Sequence, residues 1–452
     1  MKTKQVYFCQ ACGYEAPKWM GKCPTCGEWN TFVEEKVTIK SKSGRKTSPR
    51  ERQKPVALSK IEAIDEPRIH MPSEELNRVL GGGLVKGSLT LLGGEPGIGK
   101  STLLLQNILS IRNKKILYVS GEESASQLKL RADRLGKVAD NTLILCATLL
   151  EDILVEIENE KPDIIVIDSI QTISSEQIES SAGSVSQVRE CAAAFLRNAK
   201  ETGVPIILIG HINKDGAIAG PKVLEHIVDT VLQFEGDSKF LYRILRPIKN
   251  RFGSTSEIGI YEMIQKGLRE IKNPSEMLLS DNRDMEMSGI TIGVTIEGGR
   301  PFMVEVQALV STAAYGTPQR SVTGYDPRRL NMLLAVLEKR AKFKLAQKDV
   351  FLNMAGGLKI SDPAIDMAVV ASVMSSNFDV QVPRSTVFIG EIGLSGEIRT
   401  VTRIEQRVSE AQKLGFEHVV IPKGNLKGVK DKYSIQLIEV NRIEDLLTYL
   451  FK

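Results

Sequence analysis

The chain has 452 residues, 42% of them hydrophobic and 25% charged, with a mean hydropathy of −0.10. That balance excludes a wholly disordered or collagen-like protein, and the length accommodates roughly three domains. The net charge is only +5, but eight cations lie between Lys36 and Lys54 against Glu51 alone, so any attraction to nucleic acid is local rather than global. No apolar run nears the ~18 residues that a membrane span needs. The charged start MKTKQVYFCQ also lacks the apolar core of a signal peptide, which makes the cytoplasm the expected location, with no membrane partner.

Four cysteines open the chain, in Cys9-Gln-Ala-Cys12 and Cys23-Pro-Thr-Cys26. Two thiolates separated by two residues on a tight turn converge on one tetrahedral centre, and two such turns supply the four sulfurs that zinc prefers. Gly13 and Gly27 follow the pairs and let the backbone turn its N–H groups toward the sulfurs. Residues 1–33 are therefore expected to form a zinc module with Cys9, Cys12, Cys23 and Cys26 as ligands. Residues 34–55, polar and basic, are expected to be a flexible linker.

From 56 to 272, short apolar runs alternate with helical patterns: Ser88–Leu92, Ile116–Ser120, Leu143–Cys146, Ile164–Asp168 and Ile206–Gly210. Near-continuous apolar strands separated by helices indicate an α/β fold with a parallel sheet covered on both faces. Gly94-Glu95-Pro96-Gly97-Ile98-Gly99-Lys100-Ser101, followed by Thr102, fits the P-loop between a strand and a helix. Its N–H groups are expected to cradle ATP, with Lys100 on the β/γ oxygens and the Ser101 hydroxyl on Mg²⁺. Asp168, at the end of an apolar strand, is expected to hold the same Mg²⁺ shell. Glu122 and Glu123 follow another strand; Glu122 is favoured to orient the attacking water, with Glu123 the alternative.

These features resemble the RecA-type ATPase core, and Leu80-Gly-Gly-Gly-Leu-Val-Lys-Gly87 resembles the entry motif of the RecA/KaiC group. Two further strings, Ile209-Gly-His-Ile-Asn-Lys-Asp-Gly216 and Lys249-Asn-Arg-Phe-Gly253, together with the four cysteines, resemble the bacterial RadA (Sms) family over essentially the whole chain. By that resemblance Lys249 and Arg251 are fingers that reach ATP on a neighbouring subunit, as in ring ATPases related to DnaB. His211, Asn213 and Lys214 become a γ-phosphate sensor leading into a DNA loop, Lys214–Lys222. Ser174–Ser186 is a second candidate loop. Neither loop has aromatics for base stacking, so phosphate contact with little sequence readout is expected.

Residues 273–452 resemble the proteolytic domain of Lon, through Gly390–Ile398 and Val419–Pro422. Lon needs a serine where this chain has Ala364 in Asp362-Pro-Ala-Ile-Asp366, and a lysine where it has Glu405. With neither nucleophile nor base, peptide hydrolysis is not expected. The resemblance implies a hexameric, DNA-dependent ATPase of recombinational repair, with ATP, Mg²⁺ and Zn²⁺ as cofactors. It would move on single-stranded and branched DNA and promote branch migration alongside RecA. A KaiC-like scaffold ATPase that moves no DNA is the alternative.

Overall fold

A computed structural model describes residues 2–10, 14–39, 68–136, 140–211, 222–236, 242–273, 275, 279, 287–313, 317–357, 359–430 and 432–451. Cys12, Asn213, Lys214 and most of the basic segment lie outside the described residues, as does nearly all of Lys214–Lys222. The chain divides into two compact units, Met1–Ile271 and Lys272–Lys452.

The N-terminal module is a three-stranded antiparallel sheet of β1 (Lys2–Cys9), β2 (Glu15–Ala16) and β3 (Phe32–Ile39), in the order β2-β1-β3. β3 corrects the expected linker boundary, because residues 34–39 are strand, paired from Glu34↔Tyr7 to Ile39↔Lys2. Backbone pairing satisfies a strand whatever its side chains, so composition alone hid this one.

The central sheet and its helices follow with β4 (Arg68–Ile69), α1 (Glu74–Leu80), β5 (Leu84–Val85), β6 (Leu89–Gly94), α2 (Lys100–Ile108), β7 (Ile116–Ser120), α3 (Ala125–Arg134), β8 (Thr142–Cys146), α4 (Leu150–Glu160), β9 (Ile164–Asp168), α5 (Val185–Thr202), β10 (Ile206–His211) and α6 (Lys222–Ile227). β11 (Thr230–Glu235), β12 (Tyr242–Asn250), β13 (Gly259–Ile264) and β14 (Gly267–Glu270) complete one sheet of order β14-β13-β12-β11-β6-β10-β9-β7-β8. The strands from β11 to β8 pair in parallel. β12, β13 and β14 extend the sheet as antiparallel hairpins.

The apolar runs are continuous because each strand feeds two cores. Ile164 and Val166 pack on one face with Ile207, Ile209, Ile116 and Tyr118. Ile165 and Ile167 pack on the other with Ile206, Leu208, Leu117 and Val119. A period of two along a strand buried on both faces yields this division.

The second unit is built on a seven-stranded mixed sheet of order β17-β18-β16-β15-β19-β22-β23. Its strands are β15 (Ile290–Glu297), β16 (Arg300–Thr312), β17 (Arg320–Thr323), β18 (Lys348–Met354), β19 (Thr386–Phe388), β22 (His418–Pro422) and β23 (Gln436–Val440), with a small ladder of β20 (Glu391–Ile392) and β21 (Ile398–Arg399). The helix Asp366–Phe378 is buried along most of its length, and Ile292, Val294, Val387, Val419 and Ile421 form a core with Ile404 and Val408.

Candidate nucleotide site and metal centre

The carboxyl ends of β6, β10, β9 and β7 lie side by side, with His211 opposite Gly94 and Ser120 opposite Asp168. Loops after parallel strands open at this edge, the usual place for a ligand in such sheets. The P-loop leaves β6 here, and Gly97 (φ 76°) and Gly99 (φ 113°) take backbone conformations that disfavour other residues. Glu95, Pro96 and Gly97 are exposed, Ile98 is buried, and Ser101 and Thr102 are half-buried in the first turn of α2.

Lys100 is 4% exposed. Its Nζ donates to the carbonyls of Gly94 and Glu95, each at 2.9 Å, and lies 3.2 Å from His211 Nδ1. Burial pushes its pKa down to about 8, although Asp168 and Glu122 pull the other way. An ammonium can only donate, so Nδ1 of His211 accepts and Nε2 carries the proton toward Glu122 Oε1 at 3.1 Å. Ser169 donates to the same Glu122 oxygen at 2.6 Å. Asp168, buried, accepts from the Tyr118 hydroxyl at 2.5 Å. The edge thus gathers Lys100, His211, Glu122 and Asp168 into one polar network. Glu123 turns away, its carboxylate paired with Arg131 and its carbonyl accepting from Ser120 Oγ at 2.8 Å.

Sequence reasoning missed Tyr118, Ser169 and Arg131. A tyrosine in an otherwise aliphatic buried strand was the available signal, since its hydroxyl must find a partner.

Lys249 and Arg251 are not at this edge. β12 runs antiparallel to β11, and Asn250 stands opposite Thr230, which is itself opposite Thr90. Thr90 precedes Gly94 by four residues of extended strand, roughly 13 Å. The pair therefore sits toward the amino end of β6, away from its own P-loop. Lys249 Nζ donates to the carbonyls of Glu225 at 2.5 Å and Val228 at 2.8 Å. Arg251 Nη1 meets Asp229 Oδ1 at 3.2 Å. Asp229, 2% exposed, also accepts from Leu89 N at 3.1 Å and pairs with Lys200 at 3.2 Å. Next to the pair, Gly253 abuts the Gly81 turn: a Cβ on Gly253 would lie 2.9 Å from Gly81 Cα. This close approach accounts for glycine in both motifs.

Ser174–Ser186 is organised by Gln187, 1% exposed. Its amide donates to Ile178 and Ser180 carbonyls at 3.0 Å and accepts from Ser175 N at 2.8 Å. The segment holds Glu176 and Glu179 and no cation, so any phosphate contact there falls to N–H groups and serine hydroxyls.

In the ribbon, the sulfurs of Cys9, Cys23 and Cys26 lie within 4.8 Å of one another, with Cys9 and Cys26 at 3.6 Å. Tetrahedral zinc with Zn–S near 2.3 Å sets sulfurs about 3.8 Å apart, so the described donors fit the ion. The turn that presents Cys23 and Cys26 is closed by Gly27 N donating to Cys23 O at 2.9 Å, with Gly27 at φ 78°.

Residues 54–217 match the AAA domain family, residues 7–34 the rubredoxin metal-binding domain, and residues 305–425 the ChlI subunit of Mg-chelatase. The DNA repair protein RadA of Halalkalibacterium halodurans is 51% identical, over 99% of this chain and 98% of its own. This chain belongs to the RadA family. RadA of Bacillus subtilis is 50% identical with the same coverage, and RadA of Streptococcus pyogenes serotype M1 is 47% identical over 100% of this chain and 99% of its own. Among solved structures, a KaiC-like protein of Pyrococcus horikoshii is 21% identical, covers 45% of this chain and 99% of its own, and gives a TM-score of 0.38. As a RadA-family protein the chain is a P-loop ATP hydrolase of DNA repair that carries a zinc ribbon, an AAA-type core and a ChlI/Lon-like domain.

In that last domain Ala364 is buried, its N donating to Asp362 Oδ1 at 3.0 Å and its carbonyl accepting from Gly390 N at 2.8 Å. Glu405 faces solvent and pairs with Lys432 at 2.6 Å. Arg407, 2% exposed, joins Asp362 at 2.7 Å and Val294 O at 2.7 Å. At the two positions that resemblance to Lon aligns with a serine and a lysine, this chain therefore presents a buried methyl group and a solvent-facing carboxylate.

For the ribbon, Cys23→Ser is expected to abolish zinc retention and unfold the module, because the metal supplies on the order of 10 kcal/mol to a segment too small to bury a sizeable core. Zinc stoichiometry by mass spectrometry and amide hydrogen-exchange protection across the paired strands β1 and β3 check it. Native protection without zinc would refute the dependence.

Proposed function

We propose that this RadA-family protein is a cytoplasmic, hexameric motor that hydrolyses ATP between subunits, moves on single-stranded DNA and promotes branch migration alongside RecA. Lys100 holds the β/γ phosphates, Ser101 and Asp168 hold Mg²⁺, and Glu122 orients the attacking water. Lys249 and Arg251 act on the neighbouring subunit's ATP, and His211, Asn213 and Lys214 pass the γ-phosphate state to the DNA loop. The ChlI/Lon-like domain serves ring assembly rather than peptide hydrolysis.

The observation that carries this reading is the separation of the two halves of the site. Lys100, His211, Glu122 and Asp168 share one sheet edge, while Lys249 and Arg251 lie toward the other end of the strands. Hydrolysis completed by a neighbour makes turnover depend on assembly, and assembly on DNA then couples turnover to the track.

The test is ATP turnover with and without single-stranded DNA, using Lys100→Ala as the blank, followed by branch-migration assays with RecA-formed intermediates. Marked stimulation that the substitution removes supports the motor. Turnover indifferent to DNA would overturn it and favour a scaffold ATPase of the KaiC kind.

The buried Lys100 also makes nucleotide binding depend on pH. Its pKa of about 8 lies below the lysine norm, so the ammonium is disfavoured in the empty site and phosphate restores it. ATP binding then takes up a proton above pH 8. Affinity is fully present below that value and falls by up to about tenfold per pH unit above it. Calorimetry in buffers of different ionisation heat at pH 8.5 reads the proton directly; no buffer dependence would contradict the assignment.

A further inference from the structure

The chain has two tryptophans, and the zinc ribbon holds both in solvent: Trp19 is 55% exposed and Trp29 66%. Each ring comes within 3.8 Å of the place a Cβ on Gly21 would take, so both indoles border the seam left by this glycine. A bridge between Lys22 and Trp29 and a hydrogen bond from Asn30 N to Gly21 O at 2.7 Å set the two sides. The buried core of the ribbon is Cys9, Ala16, Cys23 and Phe32. The indoles take no part in it, and more than half of each remains exposed to a ligand.

The cations around the seam indicate which ligand. Lys22 Nζ stands 5.6 Å from the centre of the Trp29 ring, and Lys18, next to Trp19, is exposed. A protein partner with an apolar contact surface would have to strip water from these ammonium groups at a cost. A nucleic acid strand presents flat bases to the rings and phosphates to the lysines. The stretch from Lys36, in β3, to Lys54 has eight basic residues against one acidic and adds charge of the same sign.

We propose that Trp19 and Trp29, with Lys18 and Lys22, form a stacking platform for bases of single-stranded DNA. The platform supplies the base contact that both candidate loops of the ATPase core lack. It rests on the proposal that the protein acts on single-stranded DNA.

Because no other tryptophan exists in the chain, tryptophan emission, excited at wavelengths that its nine tyrosines do not absorb, reports on this surface alone. The full-length zinc-loaded protein is titrated with oligothymidylate, and the anisotropy of an end-labelled oligonucleotide is followed in parallel. The expected result is quenching that tracks the anisotropy. The W19A/W29A double variant should bind about tenfold or more weakly, with zinc content unchanged and with W19F/W29F keeping the larger share of affinity. Saturated anisotropy with unmoved fluorescence overturns the proposal and gives the patch to a protein partner. Absence of any anisotropy change removes the DNA reading itself, and this proposal with it.

Discussion

Arg251→Ala is expected to lower ATP turnover by about 10³-fold or more, the range over which phosphate-directed arginine fingers act, while each subunit still binds ATP. The register places Arg251 beside Asp229, toward the amino end of β6. Reaching its own P-loop would require the guanidinium to cross roughly 13 Å of sheet. The decisive form of the experiment is a mixture. Arg251→Ala subunits keep an intact P-loop, and Lys100→Ala subunits keep an intact finger, yet each preparation alone is inactive. In a head-to-tail ring assembled at random from equal parts, about a quarter of the interfaces pair an intact P-loop with an intact finger, so turnover should reappear. Failure to recover any activity in a mixed assembly, confirmed by co-purification of differently tagged subunits, would place the finger's action within one subunit and defeat the shared-site mechanism. Lys249→Ala should behave in the same way, since Lys249 lies two residues away on the same strand end and the two cations oppose each other's charge; burial and Arg251 together hold the Lys249 pKa below the ordinary lysine value.

What could be read ahead of the structure follows from how local each signal is. Ile164–Asp168 and Ile116–Ser120 were legible to the residue, because a strand buried on both faces must be apolar throughout. The P-loop was legible because strand, glycines and helix follow one another without a gap. Most of β11 to β14 was not. Tyr242–Asn250 alternates between buried and half-exposed residues and contains a proline, so its strand identity rests on partners that only the fold supplies. Asp229 escaped notice for the same reason, as an aspartate ahead of a short apolar run looks like an ordinary strand start until Leu89, Lys200 and Arg251 are brought to it. The choice between Glu122 and Glu123 depended on which way each carboxylate turned. The capping box of α3, with Ser124 accepting from Gln127 N, and the Arg131 pairing orient that turn, and neither is visible in two adjacent glutamates.

Those orientations lead to a second large effect. Glu122→Gln is expected to reduce the rate constant for hydrolysis by about 10²- to 10⁴-fold with ATP affinity little changed, because the amide keeps the shape and loses the negative charge that orients and deprotonates water. Glu123→Gln, which disturbs only the pairing with Arg131, should stay within a few-fold of the unaltered protein. Burial acts to raise the Glu122 pKa, but hydrogen bonds from Ser169 and His211 and the charge of Lys100 outweigh it, so the carboxyl is held below its ordinary value. A base with a lowered pKa is ionised at neutral pH, and its activity disappears only as the pH falls through that lowered value. Removing the Ser169 hydroxyl takes away a charge-assisted hydrogen bond at 2.6 Å. Ser169→Ala should therefore move the acid limb of the rate profile to higher pH and leave the plateau closer to normal. A glutamine variant that still turns over at full rate, or a Ser169→Ala profile that does not move, would shift the water-positioning role to another group at this edge, with His211 the next to test.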